Sequence, residues 1–488
     1  MATPIPPNCC PFCLGEVARA TGGTLAGPER LALAGVSVDS RTLRPGMLFV
    51  ALKAAGVGDG HAYLSAAVRA GAGAALVSEA AKLPSGLPAV VVADTLQALG
   101  ALARFHLERL RRAGGLRLLA IGGAAGKTTT KELAAAAAGA LFGEVGATAG
   151  NLNNLIGVPM TLFTLTEKHR AAIIECGTSL PGEIARLGEI VSPDVALVLN
   201  VDLEHSAGLG GLEQIAAEET ALFAAARETA VAPADERLVL AGIPDRLRHV
   251  TFGADAAADV QVDGAPYYRD GRLMIRLSLA GTMVRPGTEP AVVLGLGLTG
   301  SCMAINAAAA LAAAAALWGQ PLGRVELDGA ARALDSVKPL AGRLSLRSVK
   351  GVSVIDDSYN ANPRSVRAAL GAARENAEVL GARLAVALGD MLELGDFSAA
   401  AHQELLEQAL ALKPALLIGV GAEMSAACAR LAASPGQSVV VAAPSPEEAA
   451  VKLSRLLRPG DLLLVKGSRS VGMERLIKRL EELDGSCA

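Results

Sequence analysis

One ten-residue stretch constrains this chain more than any other: Ile121-Gly122-Gly123-Ala124-Ala125-Gly126-Lys127-Thr128-Thr129-Thr130. An apolar run, Leu116 to Ile121, precedes it and reads as a buried strand. An Ala/Leu-rich run, Glu132 to Leu141, follows and reads as a helix. Strand, glycine loop, Lys-Thr and helix together make a phosphate cradle. N–H groups of the loop and of the helix N-terminus face an anion, Lys127 adds a point charge, and the Thr128 hydroxyl suits Mg²⁺. The usual form of this loop has four residues between its glycines, whereas Gly123 and Gly126 are separated by two. The same residues also suit a glycine turn that caps a core helix.

The rest of the chain bears on that choice. Its 488 residues leave room for about three domains. Apolar residues at 51% and charged residues at 19% support sizeable cores. Aromatics at 3%, with a single Trp318, argue against a base-stacking nucleic-acid binder. The net charge of −3 offers no polyanion-binding surface, so a phosphate ligand must be held locally. Seven scattered cysteines (Cys9, Cys10, Cys13, Cys176, Cys302, Cys428 and Cys487) read as reduced thiols in a cytoplasmic setting. Cys10-x-x-Cys13 has no second Cys/His pair at the spacing of a zinc site. Met1 to Phe12 lacks a basic-then-apolar signal region, and Ala304 to Leu317 is too short to span a membrane. The expectation is a soluble, cytoplasmic protein.

Hydrophobic patterning divides the chain into three α/β units. The first is small and mixed. It has helices near Leu14 to Ala20 and Ala62 to Ala70, and extended runs at Ala34 to Asp39, Met47 to Leu52, Ala74 to Val77 and Val90 to Val92. The run Leu96 to Arg112 reads as a helix leading into the second unit. There, strands at Leu116 to Ile121, Ala171 to Cys176 and Val195 to Val201 alternate with helices at Lys127 to Leu141, Pro181 to Ile190 and Leu212 to Ala226. That alternation predicts a parallel sheet covered on both faces. From Val250 to Leu298 the pattern turns to period two and predicts an antiparallel insertion or edge, closed by helices at Cys302 to Leu317 and Val325 to Leu334. The third unit restarts the alternation, with strands at Val352 to Ile355, Leu384 to Leu388, Leu416 to Val420, Val439 to Ala442 and Leu462 to Val465. It reads as a second doubly wound domain after the turn Lys338 to Gly342.

Polar residues gather where a parallel sheet exposes its ligand crevice. Glu175 ends one strand, and Asn200, Glu204 and His205 follow the next. A carboxylate and an imidazole beside a phosphate loop suit Mg²⁺, and they equally suit a helix cap and a surface histidine. Thr148 to Pro159 is dense in amides, with Asn151, Asn153 and Asn154 able to donate and accept, or to build a turn. Asp356-Asp357-Ser358-Tyr359-Asn360-Ala361-Asn362-Pro363 follows a strand and opens a helix, with proline suited to the first turn. Gly389-Asp390-Met391-Leu392-Glu393-Leu394-Gly395 and Lys466-Gly467-Ser468-Arg469 repeat that shape. Three polar strand ends in one domain point to a shared cleft.

In this order the segments resemble the Mur ligases, the ATP-dependent amide ligases of peptidoglycan synthesis, over nearly the whole chain. The Asp356 to Pro363 stretch is the most specific marker. Val38-Asp39-Ser40-Arg41, Asp59-Gly60-His61, Asn151 to Pro159 and Gly389 to Gly395 also match, and the family's short Gly-x-x-Gly-Lys-Thr loop accounts for the spacing at Gly123 to Thr128.

The resemblance implies a UDP-muramoyl-peptide domain at 1–95, a central P-loop ATPase domain at 96–337 and a Rossmann-like C-terminal domain at 338–488. It implies ATP and Mg²⁺ as cofactors, UDP-N-acetylmuramoyl-tripeptide and D-alanyl-D-alanine as substrates, and a monomer. Gly123, Gly126, Lys127, Thr128, Thr129, Asn306, Arg343 and Asp357 are expected at the adenine nucleotide. Thr128, Glu175 and His205 are expected at the metal. Ser40, Arg41, Asp59, His61, Asn151, Asn153, Asn154, Tyr359, Asn360, Asn362, Lys466 and Arg469 are expected at the substrates.

Three departures from the family pattern stand out. Ala125 replaces an asparagine of the loop, and Gly300-Ser301-Cys302-Met303 replaces a Gly-x-His-Asn stretch that precedes Asn306. Glu219 occupies the place of a lysine that the family carbamylates. The expectation is that Glu219 supplies a carboxylate toward the metal directly and is catalytic with Lys127, Glu175 and His205.

Overall fold

The computed structural model describes residues 3–54, 58–431 and 438–483; Cys487 lies outside them. The protein is α/β, built around three sheets met in chain order.

The first sheet has five strands in the order Thr24–Ala26, Ala89–Val91, Ala74–Val77, Leu48–Val50, Val36–Ser37. All pairs are parallel except that of Thr24–Ala26 with Ala89–Val91. Ala74–Val77 is buried along its whole length, as a continuous apolar run in a parallel sheet requires. The helix Thr95–Gly114 links this sheet to the next. Asp94 caps it by accepting from Leu96 N at 2.8 Å and Gln97 N at 3.0 Å, and Gly115 stops it in the left-handed region. Its Leu99, Leu102 and Leu107 belong to one apolar cluster with Leu48 and Val90 on one side and Leu118 and Ile174 on the other.

The second sheet has ten strands. Val145–Ala147, Ala171–Glu175, Arg117–Gly122, Val195–Val198, Thr229–Pro233, Arg248–Gly253 and Val260–Val262 run parallel in that order. Arg272–Leu279 then pairs antiparallel with Val260–Val262, Tyr267–Arg269 and Ala291–Leu296. The antiparallel edge therefore begins later than Val250, because period two cannot tell a parallel strand from an antiparallel one. Val145–Ala147 and Thr229–Pro233 were not legible in the sequence; each is short, and Ala and Thr give little contrast. Helix Lys127–Phe142 packs on Cys302–Trp318 and Arg324–Asp335. Six consecutive fully buried residues, Ala309 to Ala314, are five alanines with Leu311 as the one larger residue, and they let Cys302–Trp318 lie deep against the sheet. No described helix is long and apolar enough to cross a membrane.

The third sheet runs Ser345–Val349, Val352–Asp357, Leu462–Lys466, Leu384–Gly389, Leu416–Val420, Val439–Ala443. Only its first pair is antiparallel. Its register sets Asp357 opposite Lys466 and Leu388 opposite the same lysine, so three strand ends share one edge. The second sheet does likewise, with Ile121 opposite Glu175 and Gly122 opposite Val198. These two edges face each other across a common cavity.

Candidate active site

The cavity has a volume of about 600 Å³ and is lined by both halves of the molecule. At its floor the phosphate loop turns on two glycines with positive φ, Gly123 at 116° and Gly126 at 90°. A Cβ on Gly123 would stand 2.9 Å from Leu199 N, so only glycine fits under the neighbouring strand end.

Three of the loop's own N–H groups are already engaged. Gly123 N donates to Glu219 Oε2 at 2.6 Å, Ala124 N to Asn200 O at 3.1 Å, and Ala125 N to Asn200 Oδ1 at 2.9 Å. Asn200 Nδ2 returns a bond to Ala125 O at 2.9 Å. The donors left for an anion are therefore at the N-terminus of helix Lys127–Phe142, whose first intrahelical bond is Thr130 N to Gly126 O. This narrows the expectation that the loop and the helix N-terminus together face the anion: Gly123, Ala124 and Ala125 are tied by asparagine and glutamate, which rigidify the loop from behind.

Lys127 Nζ bonds Gly123 O and lies 3.7 Å from Glu204 Oε2. Burial works against its charge, but the carboxylates of Glu204, Glu219 and Glu175 outweigh that and hold its pKa above the ordinary lysine value. Burial likewise pushes Glu204 up, and Lys127 and His205 beside it bring it below the usual carboxylate range. His205 is held above the usual imidazole value; burial opposes this, and Glu204 and Glu393 override it.

Glu175 is 2% exposed at the end of its strand. Its Oε1 accepts from Asn153 Nδ2 at 2.8 Å, while Oε2 is buried and has no hydrogen-bond partner. An orphaned buried carboxylate oxygen costs on the order of 1–3 kcal/mol unless something occupies it. With the Thr128 hydroxyl and His205 on the same cavity wall, the set is all-oxygen plus imidazole, which suits a divalent cation.

The C-terminal half supplies the opposite wall. Lys466, 2% exposed, bonds Asp357 Oδ2 at 2.5 Å and Asn360 O at 2.9 Å. Asp357 Oδ1 also accepts from Leu344 N at 3.1 Å. Arg343 and Arg469 lie against the Tyr359 ring, at 4.2 and 5.4 Å from its centre. Asn362 caps helix Pro363–Leu380 through Ser365 N at 2.8 Å, and its Nδ2 reaches Ala124 O and Glu204 Oε2, each at 3.2 Å.

Seventeen of the expected site residues line this cavity: Gly126, Lys127, Thr128, Thr129, Asn151, Asn153, Asn154, Glu175, His205, Asn306, Arg343, Asp357, Tyr359, Asn360, Asn362, Lys466 and Arg469. Asn154 is in part a cap, since its Oδ1 accepts from Ile156 N and Gly157 N at the start of Gly157–Leu162. Ser40, Arg41, Asp59 and His61 are not on the cavity wall. Arg41 grips Asp39 in a fork at 2.6 to 3.1 Å. His61 spends Nδ1 on Asp59 and Nε2 on Ser78 N, while Lys82 and Lys53 neutralise Asp59 and Glu79. That cluster is held together by its own ion pairs.

Glu219 departs from expectation. It is 3% exposed, sits behind the loop on the Gly123 N–H, and does not line the cavity. Burial raises its pKa to about 7, with Lys127 and the Gly123 N–H opposing and Glu204 and Glu218 reinforcing. A glutamate is shorter than a carbamylated lysine, and the nearest strong donor takes its carboxylate first. Asn200, Glu204 and Glu393 are contributors whose roles the sequence reading left unassigned; their place after strand ends was the available signal. Cys302 and Met303 line the cavity beside Asn306, whose Nδ2 bonds Met303 Sδ at 3.6 Å. Burial pushes the Cys302 thiol up to about 12. Cys10, also buried, donates to Asn8 Oδ1 and is likewise pushed up to about 12.

Residues 121–314 match the Mur ligase middle domain, and residues 342–469 match the Mur ligase, glutamate ligase domain. The chain is 33% identical over 481 residues to the UDP-N-acetylmuramoyl-tripeptide–D-alanyl-D-alanine ligase of Escherichia coli, across 97% of this chain and 99% of that one. The enzyme of the same name from Bacillus subtilis is 33% identical over 399 residues, 80% of each chain. Among solved structures, MurF from Acinetobacter baumannii superimposes with a TM-score of 0.83 at 26% identity, over 97% of this chain and 99% of that one. MurF ligase from Thermotoga maritima in complex with ADP gives a TM-score of 0.78 at 25% identity, over 92% and 97%.

Proposed function

The chain belongs to the Mur ligase family, and we propose that it joins D-alanyl-D-alanine to UDP-N-acetylmuramoyl-tripeptide with cleavage of ATP to ADP and phosphate. The observation that carries this reading is the single cavity walled by the phosphate loop and Glu175 on one side and by Asp357, Tyr359, Asn362 and Lys466 on the other. An enzyme that only hydrolysed ATP would have no use for the second wall.

In this reading the terminal carboxylate of the tripeptide attacks the γ-phosphorus of ATP, and ADP leaves. The amine of the dipeptide then attacks the acyl carbon, phosphate leaves and the amine gives up a proton. Phosphoryl transfer asks for positioning and charge neutralisation more than covalent chemistry. Lys127 and the N–H groups at the start of its helix hold the phosphates. Asn200 and Glu219 keep the loop rigid so that those donors stay aligned. Thr128, Glu175 and His205 would hold Mg²⁺, which when bound would neutralise phosphate charge. Asn306, Arg343 and Asp357 are assigned to the adenine nucleotide. Asn151, Asn153 and Asn154 are assigned to the muramoyl peptide, and Tyr359, Asn360, Asn362, Lys466 and Arg469 to the incoming dipeptide. Ser40, Arg41, Asp59 and His61 belong to the first domain, assigned to the uridine nucleotide. The assigned domains are 1–95, 96–337 and 338–488. The two walls exclude water from an acyl phosphate that would otherwise hydrolyse. The reading extends to a monomer acting in the cytoplasm.

The test is phosphate release by the purified protein with Mg²⁺, ATP, UDP-N-acetylmuramoyl-tripeptide and D-alanyl-D-alanine, omitting each in turn. Release that needs all of them, with a UDP-linked product heavier by the dipeptide, is expected. Release indifferent to the dipeptide would sink the proposal.

A further inference from the structure

The loop that follows strand Leu384–Gly389 reaches across the cavity to the histidine loop of the central half. Glu393 accepts from His205 Nδ1 over a sequence separation of 188 residues. Ala207 N donates to Glu393 O at 3.0 Å, and a Cβ on Gly395 would stand 3.2 Å from Ala207 Cα. The two loops are thus in direct contact along three residues. At the join both residues take left-handed backbone, His205 at φ 53° and Glu393 at φ 66°. Non-glycine residues hold that conformation only where their surroundings impose it.

A carboxylate only accepts, and of the two that meet the ring Glu393 is the closer, so in the neutral imidazole the one hydrogen sits on Nδ1 and Nε2 keeps its lone pair. Nε2 lies 3.4 Å from Glu204 Oε1, and both residues line the cavity. Asn362, also of the C-terminal half, reaches Glu204, and it touches the carboxylate rather than the ring.

We propose that Glu393 is a positioning residue for His205, fixing the ring with Nδ1 protonated and Nε2 free, so that the cation site of the central half is complete only when the C-terminal loop is docked on it. The proposal rests on the reading of His205 as a metal ligand. An imidazole that ligates through one nitrogen needs an acceptor on the other, and losing that acceptor typically costs roughly 10–100-fold in metal affinity. The Glu393 side chain is 62% exposed, so replacing it leaves the core untouched.

The experiment uses the full-length protein labelled with ¹⁵N-histidine, in mildly alkaline buffer, with Mn²⁺ alone as the probe. Ring ¹⁵N shifts report the His205 tautomer, with His205→Ala identifying its signals, and electron paramagnetic resonance reports Mn²⁺ affinity. Wild type is expected to show the Nδ1–H tautomer. Glu393→Ala should lose that preference and bind Mn²⁺ roughly 10–100-fold more weakly. Glu393→Gln, which keeps an acceptor without the charge, should restore most of both. If Glu393→Ala leaves either readout at the wild-type value, or Glu393→Gln behaves like it, the proposal falls. His205→Ala separates the two levels. Weakened Mn²⁺ binding there with unchanged binding in Glu393→Ala overturns only the role of Glu393, whereas unchanged binding in both overturns the metal reading beneath it.

Discussion

Asn362 Nδ2 lies 3.2 Å from Glu204 Oε2, a contact between the first turn of a C-terminal helix and the loop that carries His205. The same side chain caps its own helix through Oδ1. One residue therefore holds a helix start and spans the cavity, and the two duties can be separated. Asn362→Asp keeps the cap but sets a second carboxylate against Glu204. Asn362→Ala should cost about 1 kcal/mol of stability in urea unfolding, and Asn362→Asp much less. Activity should fall at least about tenfold in the aspartate variant, equivalent to about 1.4 kcal/mol. An aspartate variant with wild-type turnover would show that the contact is incidental.

Lys127 faces three carboxylates and, among the described residues, is the one lysine or arginine that the central half brings to the cavity wall. Lys127→Met should lower ligation by on the order of 10²–10³-fold, the range seen when one preorganised charge-stabilising donor is removed. Nucleotide binding measured by calorimetry should weaken with it. Turnover within about threefold of wild type would place the phosphates elsewhere.

Glu175 pairs one oxygen with Asn153 and leaves the other without a partner. Mg²⁺ should raise the melting temperature of the wild type by mass action on the folded state. In Glu175→Ala that rise should shrink or vanish, while the metal-free protein melts no lower than wild type, because an unpaired buried oxygen has gone. A clear loss of metal-free stability together with an intact Mg²⁺ response would contradict the assignment.

Glu219 has its pKa raised to about 7 from 4.5 by burial. In the window between those values the native state keeps a proton that the unfolded chain has lost. Stability conferred by this group is therefore full below about pH 4.5 and declines as pH rises towards about 7, by on the order of 3 kcal/mol in all. Glu219→Gln retains an acceptor for the Gly123 N–H and cannot titrate. Its urea midpoint should hold steady over this window while that of the wild type falls. Parallel curves for the two proteins would show that the carboxylate is not the titrating group.

Much of the architecture was legible because its signals are local. Lys127–Phe142, Leu416–Val420 and Ala74–Val77 follow from apolar runs bounded by glycine or proline, and the helix start at Pro363 follows from a proline suited to the first turn. The cavity's cast was legible as polar residues at strand ends, since a parallel register must carry such ends to one edge.

What the sequence by itself determined, then, is the three α/β units with most of their helices and longer strands, the glycine loop before Lys127 and the three polar turns of the last domain. Which partner each polar atom takes was decided only by the tertiary structure. Glu219 is drawn to the nearest buried N–H, Gly123, instead of the cavity. Asp59 is consumed by Lys82 and His61, and His61 by Asp59 and the Ser78 N–H of its own domain. His205 is met by Glu393, a residue on the far side of the cavity. Local patterning reflects the chain's own periodicity, whereas a buried polar group answers to whichever donor or acceptor lies within about 3 Å, and only the packing of distant segments sets that distance.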